Sequence, residues 1–156
     1  MYPSSSNGLN SETDAEVRFF TTAFHPLDNF SAHTVELWGE IFPTVEHAFH
    51  WKKFSTAHPD VAKRIVNAQS PEEAQRIARQ NTAKIPSSWH DEKIAVMKDI
   101  LTAKAAQHDD VRDALHRTGS RTIIENSPVD DFWGAGPHGN GQNMVGKLWM
   151  EVREEL

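Results

Sequence analysis

The sequence predicts an α+β protein, mainly helical with a small β element, folded as a single compact domain. Three observations predict it. A chain of 156 residues is long enough to bury one sizeable core. Several segments carry apolar residues at helical spacing behind recognisable caps, and only a few short runs have the β-branched and aromatic content of strands. With 38% apolar and 24% charged residues the balance is globular, and no apolar run approaches the roughly 20 residues that a membrane span needs.

Each element follows from local chemistry. The first sixteen residues, MYPSSSNGLNSETDAE, are polar, lack the basic start and apolar stretch of a secretory signal, and read as a disordered tail ahead of a domain from 17 to 156. Residues 17–20 and 34–38 read as strands, the second closed by a turn at Gly39, with a loop at 24–30 between them. Phe42-Pro43-Thr44 leads into a helix to Phe54, because Thr44 can cap and no breaker follows. Pro59 suits the first turn of a helix to about residue 67, and Ser70-Pro71-Glu72-Glu73 is a capping box that opens a helix to about residue 80. Ser88 caps the longest helix, 89–107, with Ile94, Met97, Ile100 and Leu101 as its core stripe. Residues 109–118 form a helix stopped by Gly119, and 121–125 a strand. Residues 126–142, NSPVDDFWGAGPHGNGQ, are too rich in Gly, Pro and Asp for regular structure, and so long a loop in a compact domain is usually functional. A last helix, 143–154, buries Met144, Leu148 and Val152.

Charge and composition narrow the function classes. The formal net charge is −6 with scattered Lys and Arg, so the broad basic surface of a general DNA binder is missing. The chain has no cysteine, which removes thiol chemistry and fits a reducing compartment, the cytoplasm or the nucleus. Two constellations remain. Gly134, Gly136, Gly139 and Gly141 precede a helix whose expected N-cap is Asn143, an arrangement that aims free N–H groups and the positive helix end at a phosphate, unless the segment is a plain surface loop. Trp133 beside them is either a stacking platform or core. On the helix after Thr44, Glu46, His50 and Lys53 stand at i, i+4 and i+7 on one face. That face is either a solvated ion pair or a carboxylate tuned by an ammonium, suited to stabilising an oxocarbenium ion. His47 and His50 are three apart with no HExxH and no further ligand cluster, so no metal site is expected. Asp130 and Asp131 share the glycine loop, and only one of them is expected to face a site. Asn29 and Phe30 offer a polar and a stacking contact, and Trp89 opens the long helix as either a staple or a pocket wall.

Taken together, HPLDNFS at 25–31, FPTVEHAFHWKKF at 42–54, SPEEAQRIAR at 70–79, WHDEKIAVMKDILTAK at 89–104 and DDFWGAGPHGNGQNMVGKLWMEVREEL at 130–156 resemble the NADAR family, also described as riboflavin-intermediate N-glycosidases. The resemblance places the family's EH-x-x-x-x-x-KF carboxylate on Glu46 and its lysine on Lys53, starts its W-x-x-x-K pattern at Trp89, and puts the acidic residue before Trp-Gly on Asp130. Three departures stand out: the arginine often found before the tryptophan is absent from Ile85-Pro86-Ser87-Ser88, the glycine before Arg79 is Ala78, and the phenylalanine after Lys104 is Ala105.

The resemblance implies cleavage of an N-glycosidic bond, either of ADP-ribosylated guanine in nucleic acid or of a phosphoribosylamino pyrimidine of riboflavin synthesis. The missing arginine, a partner for a compact monophosphate, favours the first. The expected ligand is therefore ADP-ribose or a ribose-phosphate adduct, with ADP-ribosylated DNA as a partner and no cofactor. In this reading the glycine loop and last helix cradle phosphate, Trp89 and Trp133 wall the sugar or base, and Glu46 with Asp130 moves protons. Lys53 either orients Glu46 or attacks the sugar C1 carbon. A non-catalytic ADP-ribose-binding module is the rival from another class; it needs the loop and tryptophans but not Glu46.

Overall fold

The computed structural model describes residues 9–20 and 25–156; residues 1–8 of the expected tail, and Phe24 at the head of the expected loop, lie outside the described residues. In chain order the elements are β1 (Ser11–Glu12), β2 (Glu16–Phe19), β3 (Val35–Leu37), β4 (Glu40–Phe42), α1 (Val45–Phe54), α2 (Pro59–Val66), α3 (Pro71–Gln80), a 3₁₀ turn (Thr82–Lys84), α4 (Trp89–Gln107), α5 (Asp109–Thr118), β5 (Thr122–Glu125) and α6 (Met144–Glu154). The class is α+β as predicted. The described residues fall into two units, one of residues 9–20, 25–31 and 108–156, the other of residues 32–107.

In the first unit a three-stranded sheet has the order β1-β2-β5, with β1 antiparallel and β5 parallel to β2. Val17, Phe19 and Ile123 are buried, as period-2 strands with one apolar face require. Strand β1 falls inside the segment that composition assigned to a disordered tail. Asn10 explains why: its side-chain Oδ1 accepts from Phe20 N–H at 2.8 Å and its Nδ2 donates to the Phe20 carbonyl at 3.3 Å, while Arg121 pairs with Glu12 at 3.1 Å. A short polar edge strand is held by backbone and side-chain polar contacts, so it leaves no apolar signature. Helix α6 buries Val145, Leu148, Trp149 and Val152 but leaves Met144 half-buried. Trp149 anchors the 25–31 loop by donating Nε1–H to the Leu27 carbonyl at 2.9 Å.

In the second unit β3 and β4 form a hairpin in which Val35 faces Phe42. Its two-residue turn is Trp38-Gly39, both at positive φ (54° and 78°), so Trp38 belongs to the turn and not to the strand, and residues 40–42 are strand instead of a helix lead-in. A tryptophan in the left-handed region is strained by about 1 kcal/mol or more. Stacking offsets this strain: the indole lies 6.0 Å from Trp51 at 12°, with Lys52 Nζ 4.7 Å from its centroid. Ser70 caps α3 by accepting from Glu73 N–H at 3.0 Å, and Glu73 reaches back to the Gln69 N–H at 2.8 Å, the capping box one residue wider than expected. Phe54, Val61, Ala62, Ile65, Ala74 and Ile77 build a core shared by α1, α2 and α3. On α4 the buried stripe is Val96, Met97, Ile100 and Leu101; Ile94, expected there, is 37% exposed.

Candidate active site

Helix α1 starts where Thr44, extended at φ −148°, accepts from His47 N–H at 3.2 Å. The same hydroxyl meets His47 Nδ1 at 2.8 Å, and His47 Nε2 meets the Ala68 carbonyl at 3.0 Å. Both ring nitrogens are thus engaged, and burial lowers the pKa of this histidine against the raising effects of the Ala68 carbonyl and Glu46. His47 pins α1 to the chain beyond α2 and is not part of a metal pair with His50.

One turn on, the helical spacing produces a ladder. Glu46 Oε1 lies 2.7 Å from His50 Nε2, and His50 Nδ1 lies 3.2 Å from Lys53 Nζ. Glu46 and His50 are only 9% and 8% exposed, so this is not the solvated face that spacing alone allows. The directions follow from the donor inventory: an ammonium only donates, so it places the His50 lone pair on Nδ1 and the proton on Nε2, which then donates to the Glu46 carboxylate. Lys53 Nζ also sits 5.2 Å from the Phe49 ring and 5.8 Å from the Trp89 ring, and those rings are tilted 59° with centroids 5.2 Å apart. Desolvation by this surround lowers the Lys53 pKa to about 8; Glu46 opposes the shift and Lys93 from α4 adds to it. At pH 7 roughly a tenth of such amines are neutral, against fewer than about one in a thousand for an ordinary lysine. A half-buried, partly neutral amine beside a hydrogen-bonded carboxylate can add to an electrophilic carbon and exchange protons.

The glycine loop of the first unit is built differently from the expected cradle. Asp130 Oδ1 accepts from Phe132 N–H at 3.0 Å and Trp133 N–H at 2.8 Å, and Ser127 Oγ accepts from Asp130 N–H at 2.9 Å, so Asp130 organises its own turn. Asp131 is exposed. At the start of α6 the N–H groups of Asn143, Met144 and Val145 are donated to the carbonyls of Gly134, Phe132 and Trp133 at 3.0–3.1 Å. The helix end therefore presents no free N–H at these three positions for a phosphate. Nor does Asn143 cap with its side chain: it is left-handed at φ 50° and clamps β5 through the Ile123 carbonyl and the Glu125 N–H, both at 2.8 Å. Gly134 is buried where a Cβ would collide with the Glu125 carboxylate and lie 2.9 Å from Ser127 Cβ. Gly136 and Gly139 take positive φ, 76° and 72°, and Gly139 is exposed. Trp133 is half-buried and packs edge-on against Phe132 at 4.8 Å. Asn29 and Phe30 are half-buried in the turn that Asp28 fixes by accepting from Phe30 N–H at 2.8 Å.

A family model, the NADAR domain, matches residues 11–156. The chain belongs to the NADAR family. Among NADAR relatives, an N-glycosidase of Nostoc punctiforme is 36% identical over 129 residues, covering 82% of this chain and 83% of that protein. N-glycosidase YbiA of Escherichia coli is 33% identical over 145 residues, 92% of this chain and 89% of the relative. The NMR structure of the E. coli protein YbiA superimposes with a TM-score of 0.80 at 29% identity, covering 99% of this chain and 92% of that one. The chloroplastic riboflavin biosynthesis protein PYRR of Zea mays is 34% identical over 155 residues, 90% of this chain but 25% of the maize protein. As a NADAR member the chain is an enzyme, an N-glycosidase hydrolysing N-glycosyl bonds.

Of the site residues expected in this NADAR chain, the structure assembles Glu46, Lys53 and Trp89 within the second unit. Asn29, Phe30, Asp130, Trp133, the glycines and Asn143 lie in the first. His50 and Phe49 were missed as site residues. The signal for His50 was present, four residues after Glu46 and three before Lys53, but spacing does not reveal that an imidazole joins the two by both nitrogens. Trp89, 6% exposed, rests against Phe49 and faces Lys53.

Proposed function

We propose that the enzyme cleaves the bond between ribose C1 and an exocyclic amine, and that its substrate is ADP-ribosylated guanine in nucleic acid, from which ADP-ribose is released and the unmodified guanine restored in the strand. The observation that carries this chemistry is the Lys53 amine, desolvated to a pKa of about 8 and held in line with Glu46 through His50. A ribose joined to an exocyclic amine opens when its ring oxygen leaves C1 and takes a proton, making a C1–N imine. Neutral Lys53 Nζ adds to C1, the base amine leaves with the transferred proton, and water hydrolyses the lysine imine to free sugar and regenerated amine. Glu46 supplies and recovers the protons. The chain's own residues and water are sufficient for every step.

The choice of guanine adduct rests on Ile85-Pro86-Ser87-Ser88, which offers no guanidinium to a compact monophosphate. A phosphoribosylamino pyrimidine is the second reading, favoured by the riboflavin biosynthesis proteins of Zea mays and Vibrio vulnificus among the relatives. Incubation with single-stranded DNA bearing ADP-ribosylated guanine and, separately, with the pyrimidine, with and without borohydride, tests both parts. Released ADP-ribose identifies the guanine adduct, and a borohydride-reduced sugar on the Lys53 peptide by mass spectrometry supports the imine. Turnover of the pyrimidine alone overturns the substrate, and turnover by Lys53→Arg overturns the mechanism.

A further inference from the structure

In the lysine-imine reading Glu46 and Lys53 perform the chemical steps and His50 only joins them; what His50 does there is a further inference, which rests on that reading. His50 is buried and touches both groups, one through each ring nitrogen. Its ring is turned 71° to Phe49 with centroids 5.4 Å apart, so its plane is fixed by packing as well as by hydrogen bonds. Among the described residues Lys53 makes no direct ion pair with Glu46. Direct contact would favour the charged amine and remove the carboxylate's free lone pairs. An imidazole inserted between them keeps the two groups aligned, each with one hydrogen bond satisfied.

We propose that His50 is a positioning residue: with its proton on Nε2 and its lone pair on Nδ1, it donates to Glu46 and accepts from Lys53, and so holds carboxylate and amine apart at a fixed separation. The role needs one donor and one acceptor across the span and not a transferable proton. A glutamine amide meets that requirement, because its NH₂ donates and its carbonyl accepts, whereas a leucine of similar bulk does neither.

The full-length chain is assayed on single-stranded DNA carrying ADP-ribosylated guanine, with borohydride trapping as a second readout. His50→Leu is expected to lower kcat by about 10- to 10²-fold with KM nearly unchanged and to lower the trapped yield, and His50→Gln to restore most of both. Nitrogen-15 NMR of labelled histidine in the unliganded wild type gives a readout independent of substrate and of variant folding. An Nε2–H tautomer for His50 at neutral pH is the expected spectrum. An Nδ1–H tautomer overturns the proposal, as does wild-type kcat in His50→Leu, or a His50→Gln variant as impaired as His50→Leu. Loss of the lysine adduct in wild type, with the Nε2–H tautomer intact, instead overturns the imine mechanism and leaves the bridge standing.

Discussion

A lysine attacks carbon only as the free amine, so under the proposed mechanism the protonation of Lys53 is expected to set the pH dependence of turnover. Its pKa, lowered by burial to about 8, predicts that kcat/KM rises with pH through a limb near 8, measured at substrate concentrations well below KM. Lys93 contributes to that lowering, so Lys93→Gln is expected to move the limb to higher pH; an unmoved limb assigns it to another group. The same shift acts on stability. The folded-state value lies below the ordinary 10.5, so the cost of carrying the charge is fully present below about pH 8 and disappears above about 10.5. Lys53→Met is therefore expected to raise the thermal midpoint at pH 7, and to lose that advantage in strong base, while abolishing turnover. Glu46→Gln keeps shape and loses both charge and proton capacity. It is expected to cost about 10²-fold or more in kcat, with ligand affinity by calorimetry preserved; wild-type turnover would remove Glu46 from the chemistry.

Elements hold these side chains through a few local contacts. Thr44 is both the N-cap of α1 and a partner of His47 Nδ1, so Thr44→Ala leaves the His47 N–H and a buried ring nitrogen without their partner. A loss of about 1–2 kcal/mol in urea denaturation is expected. Because α1 carries Glu46, His50 and Lys53, kcat is expected to fall with it. In the first unit Gly134→Ala drives a methyl into the Glu125 carboxylate and Ser127, where the Glu125 carbonyl also blocks any retreat. Near-UV circular dichroism of Trp133 is expected to change, and an unaltered spectrum would show that the loop yields without rearrangement. These glycines were expected to approach a phosphate. They instead let the loop carbonyls close over the start of α6, a hydrogen-bond pattern that no count of glycines reveals.

For the whole molecule, the net charge of −6 predicts that cleavage of an ADP-ribosylated oligonucleotide depends only weakly on salt, because few backbone phosphates are neutralised. A log–log slope steeper than about −3 would reveal an extended phosphate-binding surface instead. The sequence determined by itself what local rules control: the caps at Thr44 and Ser70, Pro59 at a helix start, Gly119 as a stop, the α+β class, and a Glu46–His50–Lys53 face set by the helical period. The combination of its motifs also pointed to the NADAR family. The structure decided what depends on partners distant in sequence. Strand β1 exists because Asn10 meets Phe20 and Arg121 meets Glu12, Trp38 sits in a strained turn because Trp51 lies beneath it, and Ile94 turns outward where spacing alone had turned it in. The site divides in the same way. The face carrying Glu46 and Lys53 was legible because helix geometry fixes it. The desolvation that frees the amine was not, because it comes from Phe49 and Trp89 closing on Lys53, and burial is a property of the packed chain.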